Sequence, residues 1–295
     1  MKRLRDRYRA LLLDLDGTLY RGHEVITGAP EALVCREALQ RLVYVTNNAS
    51  RGPEVVAQHL AELGFPATTD DVVTSAQAAA RVLAERLDRN ARVLVVGTDD
   101  LAAEVEAVGL APIRRFDGVA PDAVVQGHSP DTAWSDLAEA AYALRSGAVW
   151  VAANTDRTLP NERGLAPGNG AMVAALRAAS DQEPIVAGKP FAPLLEDALR
   201  RANSRDALVV GDRLDTDIEG ASRVGLDALL VLTGVSTMDE VRRAPTEQIP
   251  TYVSDSLAAL NHPPLDPGPG VDLDEALRRN PGRAIVVRTF GSKIG

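Results

Sequence analysis

Short apolar runs alternate with longer amphipathic stretches along most of the chain. The runs have the length of buried strands, and the stretches between them repeat apolar residues at helical spacing. The runs predict strands at 10–13, 42–45, 93–96, 123–125, 148–152, 207–210 and 228–232. The stretches predict helices at 53–63, 75–87, 132–145, 170–179 and 192–202. This alternation predicts an α/β fold with a mostly parallel sheet, in which functional groups follow the carboxyl ends of the strands.

Two aspartates directly follow the first apolar run, in the segment Asp14-Leu15-Asp16-Gly17-Thr18. Side chains alternate along a strand, so Asp14 and Asp16 are expected on one side of an extended segment. Two such carboxylates repel each other, and a buried pair needs a cation or a proton to relieve the repulsion. A simple turn is the alternative, because Asp, Gly and Thr all favour turns. A turn does not explain the second aspartate, so the segment favours a chemical role.

Polar clusters also follow three other apolar runs: Thr46 with Asn47, then Lys189, then Asp212 with Asp215 and Asp217. Each cluster alone has an ordinary structural explanation as a helix cap, a solvated lysine or an acidic helix start. Together, they can converge at the carboxyl edge of one parallel sheet. Carboxylates from two loops suit Mg²⁺, while a hydroxyl, amides and a lysine suit phosphate oxygens. The sequence therefore predicts a phosphoryl-transfer site.

The four clusters, in their order along the chain, resemble the four motifs of the haloacid-dehalogenase-like hydrolases. The resemblance is closest to the branch with p-nitrophenylphosphatase-like, phosphoglycolate, glycerol-3-phosphate and pyridoxal-phosphate phosphatases, through the segments 45–48, 154–156, 167–170 and 211–218. It implies a Rossmann-like, doubly wound parallel-sheet core with an inserted α/β cap domain. The implied core is 1–87 and 184–262, and the implied cap is 88–183. Residues 263–295 are left as a Pro/Gly-rich connector and a C-terminal extension of unknown role.

The resemblance also implies a mechanism, which is Mg²⁺-dependent hydrolysis of a phosphomonoester through an aspartyl-phosphate. Asp14 is then the nucleophile and Asp16 the general acid and base. The implied metal ligands are the Asp14 carboxylate, the Asp16 main-chain carbonyl and the Asp212 carboxylate, with Asp217 and Asp215 outside the ligand set. The groups implied to bind the phosphoryl group are Thr46, the Asn47 backbone and Lys189.

Substrate choice is expected to depend on the cap segment that contains Asp156 and Leu159. Relatives that act on pyridoxal phosphate tend to carry His at the position of Leu159, whereas glycerol- and glycolate-phosphate enzymes tend to carry Leu. The best expectation is glycerol 3-phosphate, with phosphoglycolate, pyridoxal phosphate and nucleotide monophosphates as alternatives. A leucine packed inside the cap is the alternative interpretation of Leu159.

Two non-enzymatic functions are alternatives to a phosphatase. A phospho-accepting receiver domain also uses an aspartate, neighbouring acids, Thr and Lys, but it lacks an aspartate at the position of Asp16 and is much shorter. An inactive binding module is disfavoured because Asp14, Asp16, Lys189 and Asp212 are all intact.

The composition limits the kinds of molecule that the protein is expected to bind. The 295 residues include 32 Lys and Arg against 41 Asp and Glu, a net charge of −9, which argues against nucleic-acid and anionic-membrane surfaces. No apolar run approaches the roughly 20 residues of a membrane helix. The single cysteine, Cys35, excludes a cysteine-based zinc site. We expect a cytoplasmic enzyme that binds a small phosphorylated metabolite, and a homodimer is left open because members of the family often form one.

Overall fold

The computed structural model describes residues 1–34, 40–161, 163–268 and 270–287. The predictions that lie outside these residues are Cys35 with 36–39 of the implied core, residue 162 of the cap segment, and residues 269 and 288–295 of the C-terminal region. Within the described part of the chain, no helix combines the length and the apolar character needed to cross a bilayer.

The strands, in chain order, are β1 (Ala10–Leu13), β2 (Tyr20–Arg21), β3 (Glu24–Val25), β4 (Arg41–Thr46), β5 (Val72–Thr74), β6 (Arg92–Val96), β7 (Ala111–Ile113), β8 (Ala123–Gln126), β9 (Val149–Ala152), β10 (Thr158–Asn161), β11 (Gly164–Pro167), β12 (Ile185–Val186), β13 (Ala207–Gly211), β14 (Asp227–Val231), β15 (Tyr252–Ser254) and β16 (Ile285–Val286). The α-helices are α1 (Ala29–Val34), α2 (Pro53–Glu62), α3 (Ser75–Ala84), α4 (Asp99–Ala107), α5 (Trp134–Arg145), α6 (Asn169–Ser180), α7 (Ala192–Ala202), α8 (Glu219–Arg223), α9 (Met238–Arg243) and α10 (Leu273–Arg279). A π-helical turn at Leu214–Ile218 precedes α8.

The chain forms two compact units. Unit 1 comprises Met1–Val45, Ala57–Val72 and Leu195–Gly295. Its main sheet has seven strands in the order β16-β15-β14-β13-β1-β4-β5, and β2 and β3 form a separate antiparallel hairpin. Strand β1 is buried at every position and pairs in parallel with β13 on one side and β4 on the other. The edge strand β16 is antiparallel to β15. The carboxyl ends of β1, β13 and β14 therefore meet at one edge of this sheet.

Unit 2 comprises Thr46–Val56 and Val73–Leu194. It contains a five-stranded parallel sheet of order β12-β9-β8-β6-β7. Helices α5 and α6 cover the buried side chains of its central strands, among them Leu94, Val124 and Trp150. Strands β10 and β11 form a separate antiparallel hairpin.

Each predicted strand and helix is present, with its ends shifted by a few residues, and the predicted parallel α/β architecture is confirmed. The compact units differ from the predicted limits at 88 and 184. Strand β12 pairs with β9, so the segment before Lys189 belongs to the five-stranded sheet. The Ser75 hydroxyl donates to the Asn47 carbonyl, which ties residues before 88 to unit 2 as well. The division into a catalytic core and a cap as functional domains stays a prediction.

Candidate active site

Three aspartates of unit 1 lie together at the carboxyl edge of the seven-stranded sheet. Asp14 follows β1, Asp212 follows β13, and Asp217 belongs to the π-helical turn. Each offers one carboxylate oxygen, and these three oxygens lie within 4.8 Å of one another. Asp212 and Asp217 are each only 1% exposed. Three hard oxygen donors at this spacing, with no sulfur or imidazole among them, fit Mg²⁺.

Backbone geometry holds Asp217 in this group. Its Oδ2 accepts a hydrogen bond from the Arg213 amide at 3.1 Å. Gly211 lies directly against it, and a Cβ at that position would overlap the Asp217 carboxylate. Asp215 has a different environment, because its exposed carboxylate forms an ion pair with Arg213 at 2.8 Å. The structure thus brings Asp217, and not Asp215, to Asp14 and Asp212.

The Asp16 side chain is exposed and does not belong to the group of three. Strand β1 ends at Leu13, so the alternation that predicted one shared side for Asp14 and Asp16 does not extend over them. Gly17 follows with a φ of +80°, which permits the sharp turn at this point. The Oδ1 atom of Asp16 then accepts from the Gly22 amide in the turn between β2 and β3, at 3.3 Å. A hairpin therefore orients the predicted acid and base.

The second set of predicted residues lies in unit 2, where Thr46 ends β4 and Lys189 follows β12. Lys189 is 3% exposed. The Asn47 side chain pairs with its backbone, because Oδ1 accepts from the Lys189 amide at 2.8 Å and Nδ2 donates to the Lys189 carbonyl at 3.1 Å. The Thr46 hydroxyl accepts from the Asn48 amide at 3.0 Å. The Asn47 side chain therefore positions Lys189, a role that the sequence analysis missed.

Further residues of unit 2 fix Asn47 itself. Its carbonyl accepts from the Ser75 hydroxyl at 2.6 Å and from Asn154 Nδ2 at 2.7 Å. A Cβ at Gly188 would lie 2.7 Å from Asn47 Oδ1, so only glycine fits there. Ser75 carried no sequence signal as a functional residue, because a serine at the start of a helix is an ordinary cap.

The two predicted specificity residues occupy different environments within unit 2. Asp156 Oδ2 accepts from Asn47 Nδ2 at 3.3 Å. Leu159 lies on β10 opposite Ala166 of β11, and 41% of its surface is exposed. This exposure favours a surface position for Leu159 over the alternative interpretation in which it is packed inside the cap.

Comparisons with known proteins identify the family. A family model described as haloacid dehalogenase-like hydrolase matches residues 11–111, and a second, HAD-hydrolase-like model matches 186–260. The chain is 55% identical to a D-glycerol 3-phosphate phosphatase of Mycobacterium tuberculosis over 279 residues. The aligned region covers 93% of this chain and 78% of that protein. The chain belongs to the haloacid dehalogenase-like hydrolases.

Other relatives of this hydrolase agree. It is 35% identical to a 5′-nucleotidase of Bacillus subtilis over 85% of this chain and 96% of that protein. A glycerol phosphate phosphatase of Mycobacterium tuberculosis solved in complex with magnesium matches with a TM-score of 0.86 and 56% identity, over 88% of this chain and 78% of that chain. A structure of that phosphatase with calcium matches with a TM-score of 0.85. The predicted family, fold and enzyme class, a hydrolase of phosphoric monoesters, are confirmed.

His128 is a titratable residue that the sequence pattern did not indicate. His128 follows β8 in unit 2, and its carbonyl accepts from the Ser50 hydroxyl at 2.6 Å. Burial lowers the pKa of His128 below the ordinary value of 6.5, because it disfavours the charged ring. A histidine three residues beyond a predicted strand is too common a pattern to indicate a functional role.

Proposed function

We propose that this hydrolase is an Mg²⁺-dependent phosphatase with glycerol 3-phosphate as its preferred substrate. The observation that carries the proposal is the similarity, across 93% of the chain, to a protein named D-glycerol 3-phosphate phosphatase. The three grouped carboxylates support the metal requirement, and so does the magnesium complex of the similar phosphatase.

In the proposed reaction, a carboxylate oxygen of Asp14 attacks phosphorus while the ester P–O bond breaks, which leaves an aspartyl-phosphate. Asp16 gives its proton to the departing alkoxide. It then takes a proton from the water that attacks the phosphorus of the intermediate and releases inorganic phosphate and free Asp14. Thr46, the Asn47 backbone and Lys189 are proposed to bind the phosphoryl oxygens.

The proposed metal ligands are the carboxylates of Asp14 and Asp212 and the carbonyl of Asp16. Asp217 is proposed to support these ligands from the same group, and Asp215 to take no direct part. When bound, Mg²⁺ supplies positive charge that offsets the repulsion between the carboxylates and the anionic phosphoryl group.

We further propose that Asp156 and Leu159 contact the leaving group. The phosphoryl-transfer residues serve any phosphomonoester, so discrimination has to come from other side chains. An apolar contact of this kind is worth about 1–3 kcal/mol of discrimination. The exposure of Leu159 on its hairpin agrees with a contact to a ligand.

Leu159→His tests this specificity role, and Leu165→His is its matched control. Leu165 lies on β11 of the same hairpin and is 74% exposed. We expect Leu159→His to change the kcat/KM ratio between glycerol 3-phosphate and pyridoxal phosphate by roughly ten- to a hundredfold. Leu165→His should leave that ratio unchanged. An equal loss for all substrates in Leu159→His would refute the specificity role.

A phosphate-release screen with and without Mg²⁺ tests the function. The panel contains glycerol 3-phosphate, phosphoglycolate, pyridoxal phosphate and a nucleoside monophosphate, and we expect the highest kcat/KM for glycerol 3-phosphate. A preference for the nucleotide, which the similarity to a 5′-nucleotidase favours as the second candidate, would replace the proposed substrate. A chain that becomes phosphorylated without turnover would indicate a receiver-like role. Absence of both phosphorylation and turnover would indicate an inactive binding module.

The homodimer and the cytoplasmic location stay predictions of the sequence. Light scattering of the purified chain over a concentration series measures its oligomeric state directly.

A further inference from the structure

The loop after β14, Thr233 to Ser236, packs against the Asp212 carboxylate within unit 1. The Val235 amide donates to Asp212 Oδ2 at 2.7 Å. The Ser236 amide donates to the Asp212 carbonyl at 3.1 Å, so this loop holds both the side chain and the backbone of the aspartate. Backbone donors do not rotate away as side chains do, and they therefore fix the orientation of the carboxylate.

Two glycines allow this close approach. A Cβ at Gly234 or at Gly17 would overlap the Asp212 carboxylate. Gly17 belongs to the turn after Asp16, and Gly234 belongs to the loop after β14. The Asp212 carboxylate thus lies between two loops that have no side chain at the points of closest approach.

A hydroxyl joins these two loops to each other. Thr233 Oγ1 donates to the Gly17 carbonyl at 2.7 Å. Arg21, on the hairpin that orients Asp16, donates from Nε to the Thr233 carbonyl at 2.8 Å and from Nη2 to the same oxygen. On the far side, the Ser236 hydroxyl accepts from the Leu214 amide at 3.0 Å, at the start of the turn that contains Asp217.

We propose that Thr233 to Ser236 is a positioning loop for the metal-binding carboxylates, fastened by Thr233 and Arg21. The inference rests on the proposed function, because it assumes that Asp14 and Asp212 hold Mg²⁺. Thr233 acts through Gly17 and through the loop it belongs to, Arg21 acts through Thr233, and both are therefore positioning residues. Their hydrogen bonds join the segment that carries Asp16 to this loop, and the Val235 and Ser236 bonds join the loop to Asp212 and to the turn that contains Asp217.

The test compares Thr233→Val, which removes the hydroxyl at nearly constant volume, with Thr233→Ser, which keeps it. Thr251→Val is the matched control. The Thr251 hydroxyl accepts from the Ala228 amide and donates to Asp227 Oδ1, both at 3.1 Å, at the opposite end of β14. Its removal should affect the stability of unit 1 but not the positions of the carboxylates.

The first measurement is Mg²⁺ binding to each protein without substrate, by calorimetry. Loss of a group that orients metal ligands typically costs 10–100-fold in affinity, and we expect a loss of roughly tenfold in Thr233→Val. Thr233→Ser should restore the affinity, Thr251→Val should retain it, and a variant lacking the Arg21 donors, Arg21→Met, should lose affinity. Thr233→Val with the Mg²⁺ affinity of the unmodified protein would overturn the inference.

The second measurement is hydrogen exchange at the Val235 amide without metal. We expect faster exchange in Thr233→Val than in Thr233→Ser or Thr251→Val, because the loop that presents this amide to Asp212 is released. Unmodified protein that binds no Mg²⁺ and hydrolyses no phosphomonoester would refute the proposed function. The exchange rates would then still decide whether Thr233 holds the loop, and equal rates in all three variants would overturn that role.

Discussion

Replacement of Asn47 by alanine tests how Lys189 is held. The change removes the two hydrogen bonds between the Asn47 amide and the Lys189 backbone, and the 3.3 Å bond to Asp156. Lys189 is 3% exposed, so water does not readily replace the lost partners. A buried backbone group that loses its partner costs about 1–3 kcal/mol, so the two Lys189 groups together give a loss of about 2–6 kcal/mol for this variant. That is a large part of the roughly 5–15 kcal/mol that stabilises a typical domain.

Asn48→Ala is the matched control, because it deletes the same atoms one residue later. Asn48 is exposed, and its Oδ1 accepts only a local hydrogen bond from the Ser50 amide, at 2.7 Å, among those described for that side chain. We expect a cost below about 1 kcal/mol, as for exposed local hydrogen bonds. Denaturant unfolding of both variants measures the difference.

The activity of Asn47→Ala provides a second readout. A catalytic group displaced by about 1 Å costs on the order of a hundredfold in rate, so kcat should fall far more than in Asn48→Ala. Asn47→Asp adds a test of charge, because the new carboxylate would lie beside Asp156 and the two would repel by roughly 4 kcal/mol before relaxation. Its stability deficit should shrink as the pH falls and one carboxylate is protonated. Equal unfolding midpoints for Asn47→Ala and Asn48→Ala would refute this account of Lys189.

Three further results are expected. Asp14→Asn should abolish phosphate release. It should not lower the melting temperature of the metal-free protein, because it removes one negative charge from three carboxylates whose oxygens lie within 4.8 Å of one another. Activity within tenfold of the unmodified enzyme would contradict the role of Asp14 as the nucleophile. Ca²⁺ should compete with Mg²⁺ yet support little turnover, since Ca²⁺ accepts bidentate carboxylates that would occupy both oxygens of Asp14; equal rates with the two metals would refute this. Burial lowers the pKa of His128, so the folded state binds its proton less readily than the unfolded state, and stability is lost as the pH falls below the ordinary value of 6.5. His128→Gln should therefore lose less stability than the unmodified protein between about pH 7 and about pH 5, and identical pH profiles would contradict the role of burial.

The sequence predicted the parts of the site that follow strongly apolar strands. Ala10–Leu13 before Asp14 and Ala207–Gly211 before Asp212 are buried at every position. A continuous apolar run of this kind predicts a buried strand without any information from the rest of the chain. The order of the motifs then indicated the family, which the comparisons confirmed.

Elements held by distant partners could not be predicted in this way. The hairpin strands Tyr20–Arg21 and Glu24–Val25 are too short to show a periodicity, so the hydrogen bond that orients Asp16 was missed. The Asn47 side chain pairs with a residue 142 positions away, and one sequence contains no trace of that pairing. The same holds for β12, whose two residues give no indication of which sheet they join.

The position of β1 in its sheet has a consequence for how the protein is made. Ala10 pairs with Arg41 on one side and with Ala207 on the other, so the centre of this sheet is open until the ribosome has released the segment that contains β13. The nascent chain would expose the unpaired backbone edge of β1 while unit 2 is synthesised. Strand edges of this kind are prone to aggregation, and pairings between distant segments form slowly. Chaperone demand during translation should therefore be high until β13 emerges, and it should fall once that strand pairs with β1.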